Sequence, residues 1–139
     1  MNPTLYLSNW SSYRTLGHHG PGRKLTIMAA PRSWEQGEGK VPALIPALVD
    51  LRAHREGAVD MFEYRRRYEQ GLNINKLRPG VLYTTAAGGT FVTDGDTLCC
   101  ACSRDVAFQG RCHRVFAAKA LVQAGWHIIL DGVEVLDAE

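Results

Sequence analysis

The sequence predicts an α/β protein with a compact Rossmann-like sheet that is mostly parallel, with flanking helices and one hairpin. Short strand-like runs alternate along the chain with segments of helical periodicity. Residues 97–130 form a nearly complete βαβ unit, whose two strands are expected to be parallel. The chain has no internal repeats or low-complexity segments, and we expect its 139 residues (1–139) to form a single domain.

Two strands are predicted near the start of the chain. Thr4–Asn9 is the first, with Asn9 at its carboxyl end, and residues 24–29 form the second. Polar, turn-rich loops follow each of them, at residues 11–23 and 31–39. Loops this long within a small domain more often carry functional residues than serve only as connections.

Helical spacing indicates two helices in the middle of the chain. Leu44, Leu48 and Leu51 predict a helix over residues 42–54, and Asp60 is placed to cap a second helix. A strand is predicted at residues 81–85, and a hairpin turn at Asp94-Gly95 leads into another strand at residues 97–102. The last helix is predicted at residues 115–124. A closing strand at His127–Leu130 follows it and ends in a turn at Asp131-Gly132.

Composition excludes several classes of protein. Hydrophobic residues make up 45% of the chain and charged residues 22%, which are values of a folded globular domain. The net charge of +2 does not predict nucleic-acid binding, and no apolar run approaches the roughly 20 residues of a membrane helix. No signal peptide is visible at the amino terminus, so we expect a cytoplasmic protein with free thiols.

The cysteines are the most informative residues. Cys99, Cys100, Cys102 and Cys112 all fall within residues 99–112. Together with His113, the last three have the ligand count of a zinc site, but they lack the usual pair of chelating loops. We therefore expect no metal and no cofactor.

The triplet Cys112-His113-Arg114 opens the last helix and is the leading candidate site. Unpaired amides and the helix dipole at this position stabilise a thiolate or a bound phosphate. Arg114 adds a bidentate anion donor, and His113 is able to transfer a proton. Cys102, at the facing strand end, lines the same pocket in this interpretation. The alternative is a buried cysteine beside a solvated His and Arg.

The two long loops supply the remaining candidate ligand-binding residues. With Asn9 from the first strand, the loops are expected to close over a small anionic or nucleotide-like ligand, which Trp34 stacks upon. The loop residues are His18, His19, Arg23, Arg32 and Trp34. A solvated loop, and a Trp34 that packs on the core, are the alternatives. The run Arg65-Arg66-Arg67 indicates a solvated helix face, because Glu63 and Glu69 flank it.

Three function classes remain open. The leading hypothesis is a binding protein for a phosphorylated or nucleotide-derived small molecule. The second is an enzyme in which Cys112 and His113 are catalytic and act on a nucleotide or nucleoside derivative. The third is an inhibitor that binds a host protein and needs no pocket. Self-association also stays open.

Two segments of the chain resemble a known family. The strand ending at Cys102, the Cys112-His113-Arg114 helix start and the closing strand after Gly125-Trp126 are similar to the carboxyl-terminal signature of the domain of unknown function 488 family. Residues 5–10, 20–23 and 31–35 are similar to small bacteriophage members of that family, although Val49-Asp50-Leu51-Arg52 only loosely matches its bacterial Asp-Val-Arg pattern. The resemblance implies a Rossmann-like fold with a pocket at Cys-His-Arg and no agreed activity. A viral member is expected to sequester a nucleotide signal of host defence in the bacterial cytoplasm.

Overall fold

The computed structural model describes most of the chain. The described residues are 2–10, 17, 19–29, 31, 33–35, 37–82, 91–100 and 113–135.

A five-stranded sheet organises the molecule, in the order β2-β3-β1-β4-β5. The first four strands of this order are mutually parallel, and β5 runs antiparallel to β4. The strands are β1 (Thr4–Asn9), β2 (Lys24–Thr26), β3 (Thr97–Cys100), β4 (His127–Leu130) and β5 (Val133–Val135). The predicted α/β architecture, a mostly parallel sheet with one hairpin, is confirmed.

Strands β3 and β1 lie largely in the interior of the molecule. All four residues of β3 are buried, and β1 places Leu5 and Leu7 in the core. A parallel strand that is covered on both faces carries a continuous apolar run instead of an alternating one. This explains why residues 97–100 include two cysteines and a leucine.

Three α-helices occur in the described part of the chain: α1 (Leu48–Arg55), α2 (Met61–Gln70) and α3 (His113–Gln123). The predicted cap of α2 is confirmed, since Asp60 Oδ1 accepts a hydrogen bond from the amide of Glu63 at 2.8 Å. Tyr64 and Tyr68 of α2 pack against Phe116 of α3 in the core.

The single helix predicted over residues 42–54 is wrong, because Pro46 divides it. Pro42–Leu44 forms a 3-10 turn, Ile45 and Ala47 are extended, and α1 begins only at Leu48. A proline lacks the amide hydrogen and disfavours helical backbone in the residue before it. Here that residue is Ile45, with a ψ of 128°.

The hairpin lies at a different place from the one predicted. Asp94-Gly95 does form a turn, but β3 is flanked on both sides by parallel strands, β1 and β2. The hairpin joins β4 to β5 through Asp131-Gly132, where both residues have positive φ (50° and 82°). The second strand also ends early, at Thr26. Val81 and Leu82 are not in a strand, and the rest of the strand predicted at residues 81–85 is outside the described residues.

The unit β3–α3–β4 confirms the predicted βαβ arrangement. Both of its strands are parallel to β1, which lies between them. The carboxyl ends of β1, β2, β3 and β4 therefore share one edge of the sheet, and α3 starts at that edge.

Candidate functional site

Polar side chains gather where the parallel strands end. Asn9 is the last residue of β1, Cys100 is the last of β3, and Asp131 follows β4 directly. His113 and Arg114 enter from the first turn of α3. All five residues are buried. We call this group the carboxyl-edge cluster.

Arg114 is the centre of the cluster and is 0% exposed. Its Nη2 lies 3.0 Å from Asp131 Oδ2, and its Nε lies 3.2 and 3.3 Å from the two carboxylate oxygens of Asp131. Its Nη1 donates to Cys100 Sγ at 3.0 Å. The guanidinium therefore bridges α3 to the ends of β3 and β4. The sequence predicts that Arg114 donates directly to an anionic ligand. In this structure the Asp131 carboxylate pairs with the Arg114 guanidinium.

Asp131 is the site residue that the sequence analysis missed. The sequence indicates only a turn at this residue, after the closing strand. In the structure its φ of 50° lies in the left-handed region, which aspartate tolerates better than most residues. A usable signal was present, because a carboxylate directly after a parallel strand lies at the carboxyl edge.

His113 ties the start of α3 to the end of β2. Its Nε2 lies 2.7 Å from the carbonyl oxygen of Ile27, to which it donates its proton. Burial lowers the pKa of this imidazole below its ordinary value. The ring is therefore neutral at neutral pH, with its lone pair on Nδ1. The same ring packs beside Tyr68, with centroids 5.7 Å apart.

Of the described cysteines, Cys99 is not a reactive nucleophile. Cys99 and Cys100 are buried thiols rather than disulfides. Burial, and then the neighbouring Cys100, raises the pKa of the Cys99 thiol far above its ordinary value, so this group stays protonated. Cys102 and Cys112 lie outside the described residues.

Arg23 lies at the opposite edge of the sheet. Its Nη2 is 2.8 Å from Asp96 Oδ2 and 2.7 Å from the carbonyl oxygen of Phe91, and its amide donates to Asp96 Oδ1 at 2.9 Å. Because Arg23 and Asp96 directly precede β2 and β3, this pair closes the amino edge. Three residue steps along β3 separate the two edges by about 10 Å.

The other predicted ligand-binding residues are not all brought to the cluster either. His19 is exposed and precedes Gly20, whose amide donates to Thr97 Oγ1 at the start of β3, so it belongs to the amino-edge side. Trp34 lies on a 3-10 turn in the loop after β2 and is 50% exposed, so it is not a core residue. His18 and Arg32 lie outside the described residues. Of the predicted set, Asn9, His113 and Arg114 are the residues that the structure brings together.

The arginine run on α2 forms the ion-paired face that its neighbours predict. Arg65 pairs with Glu69, and both Arg66 and Arg67 pair with Glu63, while Arg67 also reaches Asp50 at 3.3 Å. Hydrogen bonds from Arg66 and Arg67 lower the pKa of Glu63 to about 2. These charges compensate one another on the surface of the helix.

Among the residues that the structure describes, no group of three or more His, Cys, Asp or Glu side chains is arranged to hold a metal ion. No helix in the described ranges is both long enough and apolar enough to cross a membrane.

No family model, curated protein or solved structure matches this chain. The resemblance to the domain of unknown function 488 family therefore stays a prediction from the sequence.

Proposed function

We propose that the protein binds a small phosphorylated molecule of nucleotide type at the carboxyl edge of its sheet, beside the first turn of α3. One observation supports this best: four buried polar or charged residues, Asn9, His113, Arg114 and Asp131, converge with the Cys100 thiol at the ends of three parallel strands, beside a helix start. Buried polar and ionic groups cost free energy compared with apolar residues. In open α/β sheets this edge is the usual place for a ligand.

The geometry suggests how the work is divided within the cluster. The first amides of α3 have no partner within the helix and carry the positive end of its dipole, so they are the donors for an anion. Arg114, through Asp131 and Cys100, fixes that turn against β3 and β4. His113 fixes it against β2. Arg114 is thus a positioning residue, and Asn9 supplies a polar group at the end of β1.

The cellular role that we propose depends on the family resemblance. A bacteriophage protein of this type would act in the cytoplasm of a bacterial host and sequester a nucleotide signal of host defence. The helix start at the carboxyl edge supports the anionic part of such a ligand, and the nucleotide part of the proposal comes from the resemblance.

An enzyme is the second candidate, and the state of His113 favours it. A neutral imidazole that is oriented through Nε2 has an unprotonated Nδ1, which a general base requires. The nucleophile in this case is Cys112. The rate of Cys112 alkylation by iodoacetamide as a function of pH tests the idea. A thiol pKa near 8.5, the unperturbed value, contradicts activated cysteine chemistry.

Binding is tested by calorimetry and by thermal unfolding with nucleoside mono-, di- and triphosphates, cyclic nucleotides and inorganic phosphate. A true ligand at about 100 times its Kd stabilises the fold by about 2.7 kcal/mol. The matching nucleoside without phosphate should give little or no stabilisation. The proposal fails if none of these compounds produces heat or raises the Tm.

The position of the site is tested with two double variants that each remove one Arg–Asp pair. R114M/D131N changes the carboxyl edge, and R23M/D96N changes the amino edge by the same chemistry. We expect the first to lose binding of the identified nucleotide and the second to retain it. The reverse result places the ligand at the amino edge and contradicts the proposal.

A further inference from the structure

Helix α1 differs from the other two helices in what it buries. None of its eight residues is buried, whereas α2 and α3 place aromatic and aliphatic side chains in the core. Val49 is 72% exposed and Leu48 is 39% exposed. A helix this short has little stability of its own and depends on packing. Its outer surface is therefore incompletely covered in a single chain.

This outer surface is concave. Residues at helical spacing surround an open cavity of about 420 Å³. We call the surface that lines this cavity the α1 face. Its lining residues are Leu48, Val49, Arg52, Ala53, Glu56 and Ala58. The small Ala53 lies in the middle, and the larger apolar side chains lie at the amino-terminal end.

The two charges on the α1 face are opposite and are four residues apart. Within the described part of the chain, neither Arg52 nor Glu56 has an ion-pair partner. This contrasts with the neighbouring helix, where Arg65, Arg66 and Arg67 are all paired. The α1 face thus presents one positive and one negative group toward solvent.

We propose that the α1 face binds a second copy of this chain, with the two helices antiparallel about a two-fold axis near Ala53. In this arrangement Arg52 of each copy faces Glu56 of the other, and the apolar start of each helix faces Ala58 of the other. A two-fold interface requires this self-complementarity. An acidic or basic partner would satisfy only one of the two charges. Because one short helix supplies the contact, the dimer is weak and forms with rising concentration.

Sedimentation velocity on the full chain, from about 10 μM to 1 mM, detects weak dimers of this size. We expect the sedimentation coefficient to rise with concentration for the wild-type chain and to stay at the monomer value for Val49→Asp. Since Val49 is exposed, circular dichroism should confirm an unchanged fold. A wild-type chain that stays monomeric throughout overturns the proposal.

Charge reversal distinguishes this dimer from any other. The single variants Arg52→Glu and Glu56→Arg should each weaken association by about tenfold or more, because like charges then face each other. An equimolar mixture of the two variants should associate again, as should the double variant R52E/E56R. Single variants that dimerise like the wild type, or a mixture that stays monomeric, overturn the antiparallel pairing. Val49, Arg52 and Glu56 are all exposed and lie outside the carboxyl-edge cluster.

Discussion

At the scale of single residues, the pair formed by Arg114 and Asp131 is the feature that most needs an explanation. Its side chains are 0% and 2% exposed, and their charges are held 3.0 Å apart. A buried ion pair of this kind is often no more stabilising than apolar residues of the same volume, yet breaking it is costly. Its value here is positional, because it joins the first turn of α3 to two strand ends.

Removing one partner should therefore be far worse than removing both. We expect Arg114→Met to lower the free energy of unfolding by about 3–5 kcal/mol, because the Asp131 carboxylate is left buried without its partner. The double variant R114M/D131N should regain most of that loss. Asn is chosen at position 131 because it tolerates the positive φ.

Urea unfolding of the three proteins measures these differences. A loss below about 1 kcal/mol for Arg114→Met, as expected of a surface pair, contradicts the account of this residue. If Arg114→Met does not fold, the double variant R114M/D131N is compared with the wild type. A free energy of unfolding close to the wild-type value supports the account of this pair, and a value far below it contradicts the account.

His113 gives the fold a dependence on pH. Burial lowers the pKa of His113 in the folded chain, whereas the unfolded chain titrates near 6.5. The unfolded state thus binds a proton first as the pH falls, and stability decreases from about pH 6.5 downward until the folded pKa is reached. We expect His113→Gln to remove this component, since a glutamine amide is able to donate to Ile27.

Urea unfolding of wild type and His113→Gln at several values between about pH 7.5 and pH 5.5, one unit either side of the unperturbed histidine pKa, measures this component. A difference in unfolding free energy between the two proteins that is constant over this range shows that His113 does not titrate as described.

At the scale of the elements, the start of α2 depends on one side chain. The Asp60 carboxylate accepts the amide hydrogen of Glu63 and satisfies a donor that has no partner in the helix. Asp60→Ala should cost about 1 kcal/mol of unfolding free energy, whereas Asp60→Asn should cost much less. Thermal and urea unfolding measure both, and equal losses for the two variants contradict the capping role.

Local sequence patterns predict a helix or strand correctly where the residues that make up the pattern are also enough to form that helix or strand. Periodicity and capping were sufficient for β1, β4 and α2. They failed at residues 42–54, where leucine spacing continues through Pro46 although the backbone cannot. They also failed at Asp94-Gly95, because a turn motif does not say which strands pair. Pairing is decided by the whole sheet.

The candidate site was predicted in part for a related reason. His113 and Arg114 were located by the order of a strand and a helix, which is a property of the chain. Residue type alone places Arg23 with them, although Arg23 precedes its strand and so lies at the amino edge. The sequence does not point to Asp131 as a site residue, because its role in a turn already accounts for it.

At the scale of the whole molecule, the parallel sheet separates two Arg–Asp pairs. The pair at the amino edge, Arg23 with Asp96, is partly solvated, with 24% of the arginine side chain exposed. Arg23 also donates to the carbonyl oxygen of Phe91, which joins that part of the chain to the start of β2. The pair at the carboxyl edge is fully buried and lies beside a helix start. Only the second lies where an α/β sheet presents amides to an anion.

The most direct test of this account is NMR chemical-shift mapping of the full chain, titrated with the nucleotide panel and with inorganic phosphate. We predict shifts concentrated on the amides of Asn9, Cys100, His113, Arg114 and Asp131 for at least one phosphorylated compound, with Arg23 and Asp96 unchanged. Shifts centred on Arg23 and Asp96, or no shifts with any of these compounds, would contradict a ligand site at the carboxyl edge.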